Sequence, residues 1–177
     1  MGLILHKRRW RAIMQNDYIL FSQYITYDES SPSGLMWSKD RRPNIKKGQV
    51  AGKQDGEYYR LWFFGKQYRA HRIVWLLLNG DWPKSCIDHI DRNTLNNRIQ
   101  NLRECTRGEN KQNEKIRKDN KSGYKGVYFH KQSEKWRSVI SLNKKRISLG
   151  LFESPEKARD ARKSAIVKYH PFSTDYS

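Results

Sequence analysis

One stretch of the chain is unusually rich in polar residues that could do chemistry. Asp88 and His89 are adjacent, and a series of asparagines follows them, among which are Asn101 and Asn110. Asparagine is a poor former of helices and strands, and it serves in turns and as a neutral oxygen donor. The stretch therefore predicts a loop, a metal site, or both.

The sequence around these side chains predicts two short strands and a helix. The segment CIDHI alternates in polarity and the segment NLREC reads as a second strand, while Thr106 is placed to cap a polar helix. In a strand, Asp88 and His89 point to opposite faces, so that one could bind a metal while the other addresses a substrate group. A helix packed across a two-stranded hairpin would bring Asn110 next to Asp88.

This arrangement resembles the HNH endonucleases. The pairs Asp88-His89 and Asn101-Leu102, together with Asn110, are similar to the DH…NL…H/N pattern of their ββα-metal fold, which is two strands and a helix. Asparagine at the last position is typical of phage and intron-encoded homing endonucleases. The upstream segment YRAHRIVW is similar to the one that precedes the motif in that subset. The resemblance spans roughly residues 27–113.

The resemblance implies an endonuclease that hydrolyses DNA phosphodiester bonds with one divalent cation. Asp88 and Asn110 would hold Mg²⁺ or Mn²⁺, His89 would be the general base that activates water, and Asn101 would orient His89. Hard oxygen donors suit these cations, and a neutral histidine is a competent base near pH 7. His71 stands at the start of a predicted helix, where a structural role explains it as well, so it is left out of the catalytic set.

The C-terminal part of the chain predicts a second small domain. Three strand-like runs, GYKGVYFH, KWRSVISL and RISLGLF, precede a helix that Ser154 caps and Pro155 begins. The elements Y-K-G-V, K-W-R, I-S-L-G-L-F and S-P-E-K-A resemble the APETALA-type (ethylene-response-factor) DNA-binding domain. That likeness implies a three-stranded sheet that reads the major groove, with the helix packed behind it.

Alternation along these strands sorts the side chains into two faces. The residues predicted to face the helix are Val127, Phe129, Trp136, Ile140, Ile147 and Leu149. The residues predicted to bind DNA are Lys125, Tyr128, His130, Arg137, Arg146 and Ser148. The plant domains carry arginines where Tyr128 and His130 stand, so their base preference does not transfer to this chain.

The composition favours a polyanion as the partner. The chain has 177 residues with a formal net charge of +18, and aromatic residues make up 12% of it. This aromatic content excludes a disordered polyelectrolyte, and the charge indicates nucleic acid, which we expect to be double-stranded DNA. An RNA-binding protein and a protein kept soluble by its charge are the alternatives. Two cysteines without a CxxC pair exclude a zinc ribbon and argue against a disulfide scaffold.

The predicted fold class is α+β. We expect an unassigned N-terminal segment (1–26), an HNH nuclease domain of ββα-metal type (27–117), a linker (118–122) and an APETALA-type domain (123–177). The last of these would be a three-stranded antiparallel sheet packed on one helix. No apolar run is long enough to predict a membrane span, and no signal peptide is predicted.

We therefore expect a cytoplasmic protein of a bacterial or phage-infected cell, and no obligate protein partner is predicted. The competing hypothesis is a non-catalytic DNA-binding regulator with a degenerate HNH fold.

Overall fold

The structure, a computed structural model, describes residues 17–142 and 145–174. These residues form a mixed α/β protein of several small antiparallel sheets and few helices. The unassigned N-terminal segment lies outside the described residues as far as residue 16. The chain divides into two compact units, of which one ends at Cys105 and the other begins at Thr106. The division precedes the predicted linker, and the functional domains drawn from the sequence stay predictions.

The first unit contains three sheets and one long helix. Its described part begins with a helix, α1, over residues 17–22. The other elements are β1 (Ile25–Tyr27), β2 (Leu35–Trp37), β3 (Lys53–Asp55), β4 (Tyr58–Phe63), β5 (Lys66–Arg69), α2 (Ala70–Asn79), β6 (Cys86–His89), a 3-10 turn (Ile99–Asn101) and β7 (Leu102–Cys105). The sheets are β1-β2, β3-β4-β5 and β6-β7, and all their pairings are antiparallel.

The hairpin β4–β5 and helix α2 form where the sequence predicts them. The hairpin turns at Phe64 and Gly65, whose φ angles of 44° and 74° fit a two-residue turn with both residues left-handed. Helix α2 ends at Gly80, which has a φ of 75° and donates its N–H to the carbonyl of Leu76. A glycine in this conformation satisfies a helix-end carbonyl without steric cost.

Helix α2 supplies much of the core of the first unit. Its apolar side packs with residues from α1 and from the strands β1, β2 and β4. The largest members of this core are Phe21, Ile25, Leu35, Phe63, Ile73 and Leu76. Apolar packing of this kind stabilises the unit in place of the zinc-binding cysteine pairs that the sequence lacks.

Strands β6 and β7 form the predicted hairpin. Asp88 lies opposite Arg103 in the register, and His89 lies opposite Leu102. Cross-strand partners share a face and neighbours along a strand alternate, so Asp88 and His89 project from opposite faces. Both residues are nevertheless buried.

The second unit consists of a short helix, a three-stranded sheet and a longer helix. Its elements are α3 (Arg107–Gln112), β8 (Val127–His130), β9 (Lys135–Leu142), β10 (Lys145–Phe152) and α4 (Pro155–Tyr169). Thr106 caps α3 in a reciprocal arrangement with Glu109, as the cap prediction requires. Ser154 caps α4 by accepting a hydrogen bond from the backbone of Lys157, and Pro155 begins that helix.

The sheet of the second unit has the order β10-β9-β8 and packs against α4. Ile140 is buried against Ala165 and Ile166 of the helix. Phe129 was predicted to face the helix, but 48% of it is exposed, and its ring pairs instead with Trp136 at a centroid distance of 5.3 Å. The prediction is wrong for Phe129 in that α4 does not cover it, although it alternates along β8 with the buried Val127.

A bulge also changes one face of this sheet. The register between β9 and β10 shifts between Ser148 and Gly150, so that Leu151 lies opposite Arg137. Leu151 therefore joins the outward face, where 42% of it is exposed. Simple alternation along β10 does not predict this position.

Candidate active site

His89 lies at the end of β6 and is held by an asparagine. It is only 4% exposed, and its Nε2 lies 3.2 Å from Oδ1 of Asn97. Asn97 is buried as well, and its Nδ2 donates a hydrogen bond of 2.9 Å to the carbonyl of Ser33. The carbonyl partner fixes the orientation of the amide, because only the NH₂ end of Asn97 can donate to it.

This orientation fixes the tautomer of His89. Oδ1 of Asn97 can only accept, so Nε2 of His89 must carry the proton that it donates. In the neutral ring the basic lone pair then belongs to Nδ1. The chain thus defines the nitrogen of His89 at which a proton can be taken up.

Asn97 is held in place from the loop between β1 and β2. Gly34 has a φ of 76°, and a Cβ built on it would lie 3.2 Å from the Cβ of Asn97 and 3.3 Å from its carbonyl oxygen. Glycine is required here both by the backbone conformation and by this close approach. The side chain of Ser33 is fully buried, and its hydroxyl lies 2.8 Å from the carbonyl oxygen of Ala51 and 3.1 Å from that of Leu35, which anchors the same loop.

Two further aromatic rings lie against His89. The ring of His71, in the first turn of α2, meets His89 edge-on with a centroid distance of 5.0 Å. Tyr58 on β4 lies 5.6 Å from His71 and 6.4 Å from His89, and the guanidinium of Arg69 stacks on it at 4.4 Å. His71 was left out of the catalytic set, yet the structure places it beside His89. Its position in YRAHRIVW, just before the motif, was the available signal.

Burial keeps both histidines neutral at physiological pH. Desolvation lowers the pKa of His89, although the hydrogen bond with Asn97 and the charges of Asp91 and Asp88 partly oppose it. Burial also lowers the pKa of His71, to about 3, and the positive charges that His89, Arg69 and Arg72 can carry act in the same direction. A neutral His89 is able to accept a proton, as general base catalysis requires.

Asn101 does not contact His89 in the way that was predicted. Its Nδ2 donates to Oδ1 of Asp91 and to the carbonyl of Asn96, at 2.9 and 2.8 Å, and its Oδ1 accepts from the backbone N–H of Asp91 at 2.9 Å. Its own carbonyl accepts from the backbone of Ile90. Asn101 therefore closes the loop that follows His89, and Asn97 makes the hydrogen bond to the ring.

Asp91 is the centre of this loop. Burial by itself would raise the pKa of Asp91, but hydrogen bonds from Asn96, from the backbone of Asn93 and from Asn101 outweigh it and hold the pKa below its ordinary value. Asp91 is thus an anion that the loop's own donors stabilise. The abundance of asparagine in this stretch is explained by these contacts.

Asp88 forms an ion pair across the hairpin. Nε and Nη2 of Arg103 donate to Oδ2 of Asp88 at 2.9 and 2.7 Å. The carboxylate is buried and rigidly held, and as a hard oxygen donor it fits Mg²⁺ or Mn²⁺. Within residues 17–142 and 145–174, no group of three His, Cys, Asp or Glu side chains could hold a metal ion. The predicted site consists of one carboxylate, Asp88, and one amide, Asn110, so it does not contain three side chains of these types.

Asn110, the other predicted ligand, belongs to the second unit. It lies on α3, where its backbone N–H donates to Thr106 and its carbonyl accepts from Asn113. That it shares a cation with Asp88 stays a prediction drawn from the sequence.

The predicted DNA-binding residues of the second unit have different environments. Nζ of Lys125 donates to the carbonyls of Lys111, Gln112 and Glu114 at 3.1, 3.0 and 2.8 Å, so it caps the end of α3. Nδ1 of His130 lies 2.8 Å from Oγ of Ser133. The outward face of the sheet carries the remaining four, which are Tyr128, Arg137, Arg146 and Ser148.

Comparison with known proteins identifies the region that contains this site. Residues 68–112 match the HNH endonuclease family. The chain is 43% identical over 83 residues to Protein 3.8 of Escherichia phage T7, an alignment that covers 46% of this chain and 69% of that protein. The chain belongs to the HNH endonuclease family. No solved structure matches it.

Membership of the HNH endonuclease family confirms the resemblance to these enzymes and implies DNA as the substrate. The HNH domain at residues 68–112 contains His71, Asp88, His89, Asn97 and Asn101. The likeness to the APETALA-type domain lies outside this range and stays a prediction. In the part of the chain that the structure describes, no helix is long and apolar enough to cross a membrane.

Proposed function

We propose that this HNH protein is a site-directed DNA endonuclease in which His89 is the general base. The observation that carries the proposal is the chain of contacts from Ser33 through Asn97 to His89. It supports a neutral imidazole of fixed tautomer and orientation beside a buried carboxylate. Any buried histidine needs a hydrogen-bond partner, but the acceptor that Asn97 provides leaves the basic lone pair on Nδ1, as a general base requires.

Each residue around His89 has its own role in the proposed reaction. Nδ1 of His89 takes the proton from the attacking water, and Asn97 holds the ring through Nε2 and stabilises the imidazolium that forms. Asn101 and Asp91 keep the loop after His89 closed, which positions Asn97 for its contact with His89. Burial keeps His89 neutral before the reaction.

Asp88 is proposed as a ligand of one divalent cation, and the family resemblance adds Asn110. Oxygen donors of this kind suit Mg²⁺ or Mn²⁺. When bound, such a cation neutralises charge on the phosphate and on the leaving 3′ oxygen. Arg103 keeps the carboxylate of Asp88 oriented through its two contacts with Oδ2.

We further propose that the outward face of the C-terminal sheet directs the enzyme to its target. Arg137 and Arg146 on this face can reach base edges or phosphates, whereas the ammonium of Lys125 is already bound by three carbonyls. The similarity to a phage protein supports a homing role in a phage or mobile element. The name of that relative says nothing of its activity.

Nicking of supercoiled plasmid by the purified protein tests this function. We expect nicking with Mg²⁺ or Mn²⁺, none in EDTA, and none by His89→Ala at saturating DNA, since this variant lacks the base but keeps its phosphate contacts. Glu57→Ala, at an exposed position of the first unit, is the control and should still nick. Binding without nicking under every cation would instead show a non-catalytic regulator.

A further inference from the structure

Three cationic side chains lie in one row across the sheet β3-β4-β5. Arg60 on the central strand is the direct register partner of Lys53 on β3 and of Arg69 on β5. Direct partners in antiparallel strands share a face, with strands about 4.8 Å apart. The three residues, here called the cationic row, therefore place three positive charges on one face within roughly 10 Å.

The cationic row is unfavourable for the isolated fold. Like charges directly opposite each other on neighbouring strands destabilise a sheet. Only part of this repulsion is offset locally. Arg60 forms an ion pair of 3.2 Å with the exposed Asp55 and donates to Gln67, and Arg69 stacks on Tyr58. An arrangement that costs stability in the protein alone indicates an anionic ligand.

The face that carries the cationic row is open to solvent. Leu61 and Phe63 point to the other side and are buried in the core, whereas Trp62 is 65% exposed on the same side as Arg60. Tryptophan is enriched at binding interfaces relative to the rest of a protein surface. The face thus combines fixed positive charge with an exposed aromatic side chain.

One end of the cationic row, Arg69, lies near His89. The guanidinium of Arg69 lies 4.4 Å from the Tyr58 ring, which in turn lies 6.4 Å from the ring of His89. The guanidinium is therefore no farther from the His89 ring than these two distances combined. One DNA strand advances about 3.4 Å per nucleotide, so an anion held by Arg69 would lie within a few nucleotides of a bond at His89.

We propose that the outer face of the sheet β3-β4-β5 binds the phosphate backbone of duplex DNA and holds it beside His89. The inference rests on the proposed function for the identity of the nucleic acid. It assigns to the nuclease unit its own DNA-binding surface, separate from the C-terminal sheet. Lys53, Arg60 and Arg69 neutralise phosphates, and Trp62 provides apolar contact area next to them. Contacts of this kind position a duplex without reading its sequence.

Binding of a random duplex in EDTA, over a series of salt concentrations, tests the proposal in the full-length protein. The variant combines Lys53→Gln, Arg60→Gln and Arg69→Gln. Its charge-matched control combines Arg42→Gln, Lys47→Gln and Lys84→Gln, three exposed positions of the same unit. Each phosphate contact contributes about 0.9 to the slope of log K against log salt. We expect the row variant to lower that slope by about 2 to 3 and the control to lower it by less than 1.

The melting temperature separates a binding role from a structural one. The positive charges of the cationic row repel one another. The double variant Lys53→Gln, Arg69→Gln removes this repulsion and keeps the Arg60–Asp55 pair. Its melting temperature should therefore be equal to that of wild type or higher, while its DNA binding weakens. An unchanged salt slope for the row variant would overturn the proposal. So would a variant that binds duplex RNA more weakly than wild type but binds duplex DNA equally well. Since binding is measured without metal, it is independent of nicking. A wild-type protein that binds DNA but never nicks would contradict only the proposed function.

Discussion

The carboxamide of Asn97 connects the backbone of Ser33 to the imidazole of His89, with contacts of 2.9 and 3.2 Å at its two ends. Ser33 lies 64 residues before Asn97 in the chain. The protonation pattern of the proposed base is thus set by a residue of a distant loop. This relationship makes the role of Asn97 open to direct measurement.

Replacing Asn97 should change the rate of nicking and its pH dependence in two distinct ways. Asn97→Leu removes the acceptor that fixes the tautomer, and we expect nicking to slow by about 10- to 100-fold. Asn97→Asp keeps an acceptor and adds a negative charge, which raises the pKa of His89. Rate measurements from pH 5 to 9 should therefore show the acid limb of the Asn97→Asp profile displaced to higher pH. Identical profiles for wild type and Asn97→Asp would exclude this role of Asn97.

Replacing Arg103 should make stability depend on the divalent cation. Arg103→Gln leaves the buried Asp88 carboxylate without its ion pair with Arg103, which costs about 3 kcal/mol or more of stability. If Asp88 is a metal ligand, Mg²⁺ or Mn²⁺ should restore part of this stability, because the cation binds only the folded protein. Thermal melts with and without the cation measure the effect. Adding Asp88→Asn to the variant is the control, and an equal cation response in it would exclude Asp88 as the ligand.

The stability of the first unit should fall in mild acid because of His71. Its pKa is about 3 in the folded protein, against 6.5 for an unperturbed histidine. Below pH 6.5 the unfolded chain takes up a proton that the folded chain does not, so stability is lost as the pH falls. The loss from this residue is about 1.4 kcal/mol per pH unit. Denaturant unfolding at pH 7, 6 and 5 should show a clearly shallower pH dependence for His71→Phe than for wild type.

Arg137 and Arg146 should distinguish target recognition from general DNA affinity. If either makes a bidentate contact with guanine, its replacement by Gln should cost about 1 to 3 kcal/mol on the target alone. A phosphate contact would instead weaken binding to all duplexes and lower the salt slope by about one. Binding to target and random duplex over a salt series separates these results. No change on either duplex would show that this face does not bind DNA.

Lys125 should affect stability more than DNA binding. Lys125→Met removes three charge-assisted hydrogen bonds to the carbonyls at the end of α3, which we expect to destabilise the second unit by about 2 kcal/mol. Chemical denaturation measures this change, and Lys121→Met, at an exposed position, is the control. Unaltered stability together with a large loss of DNA affinity would restore the DNA-binding role predicted from the sequence.

Local signals in the sequence were sufficient for much of the fold. The end of α2 follows from Gly80, the start of α3 from the Thr106 cap and the hairpin β6–β7 from alternation, because each depends on residues close together in the chain. The bulge near Ser148 could not be predicted, since it depends on how β10 fits β9. An exposed Phe129 likewise reflects how far α4 reaches, which no local pattern encodes.

The candidate site was predictable in its residue types but not in its contacts. The Asp88-His89 pair and the asparagines pointed to this region, and the family match agrees. Which asparagine binds His89 depends on how the loop 90–101 folds back and on a carbonyl 64 residues away. The pairing of Asp88 with Arg103 follows from the register of the hairpin, which two short strands leave open. The aromatic contact of His71 also requires the tertiary fold.

The tight fit of Gly34 against Asn97 has a consequence for the genetics of this protein. Any side chain at position 34 must displace Asn97 or adopt an unfavourable backbone conformation, and either change reaches His89. Selection for nuclease activity should therefore retain glycine at position 34, although this residue has no side chain that could take part in the chemistry. Loss-of-function alleles should accumulate at Gly34 as well as at the Asp88-His89 pair. Copies of the gene that retain glycine at position 34 are therefore expected to be the active ones.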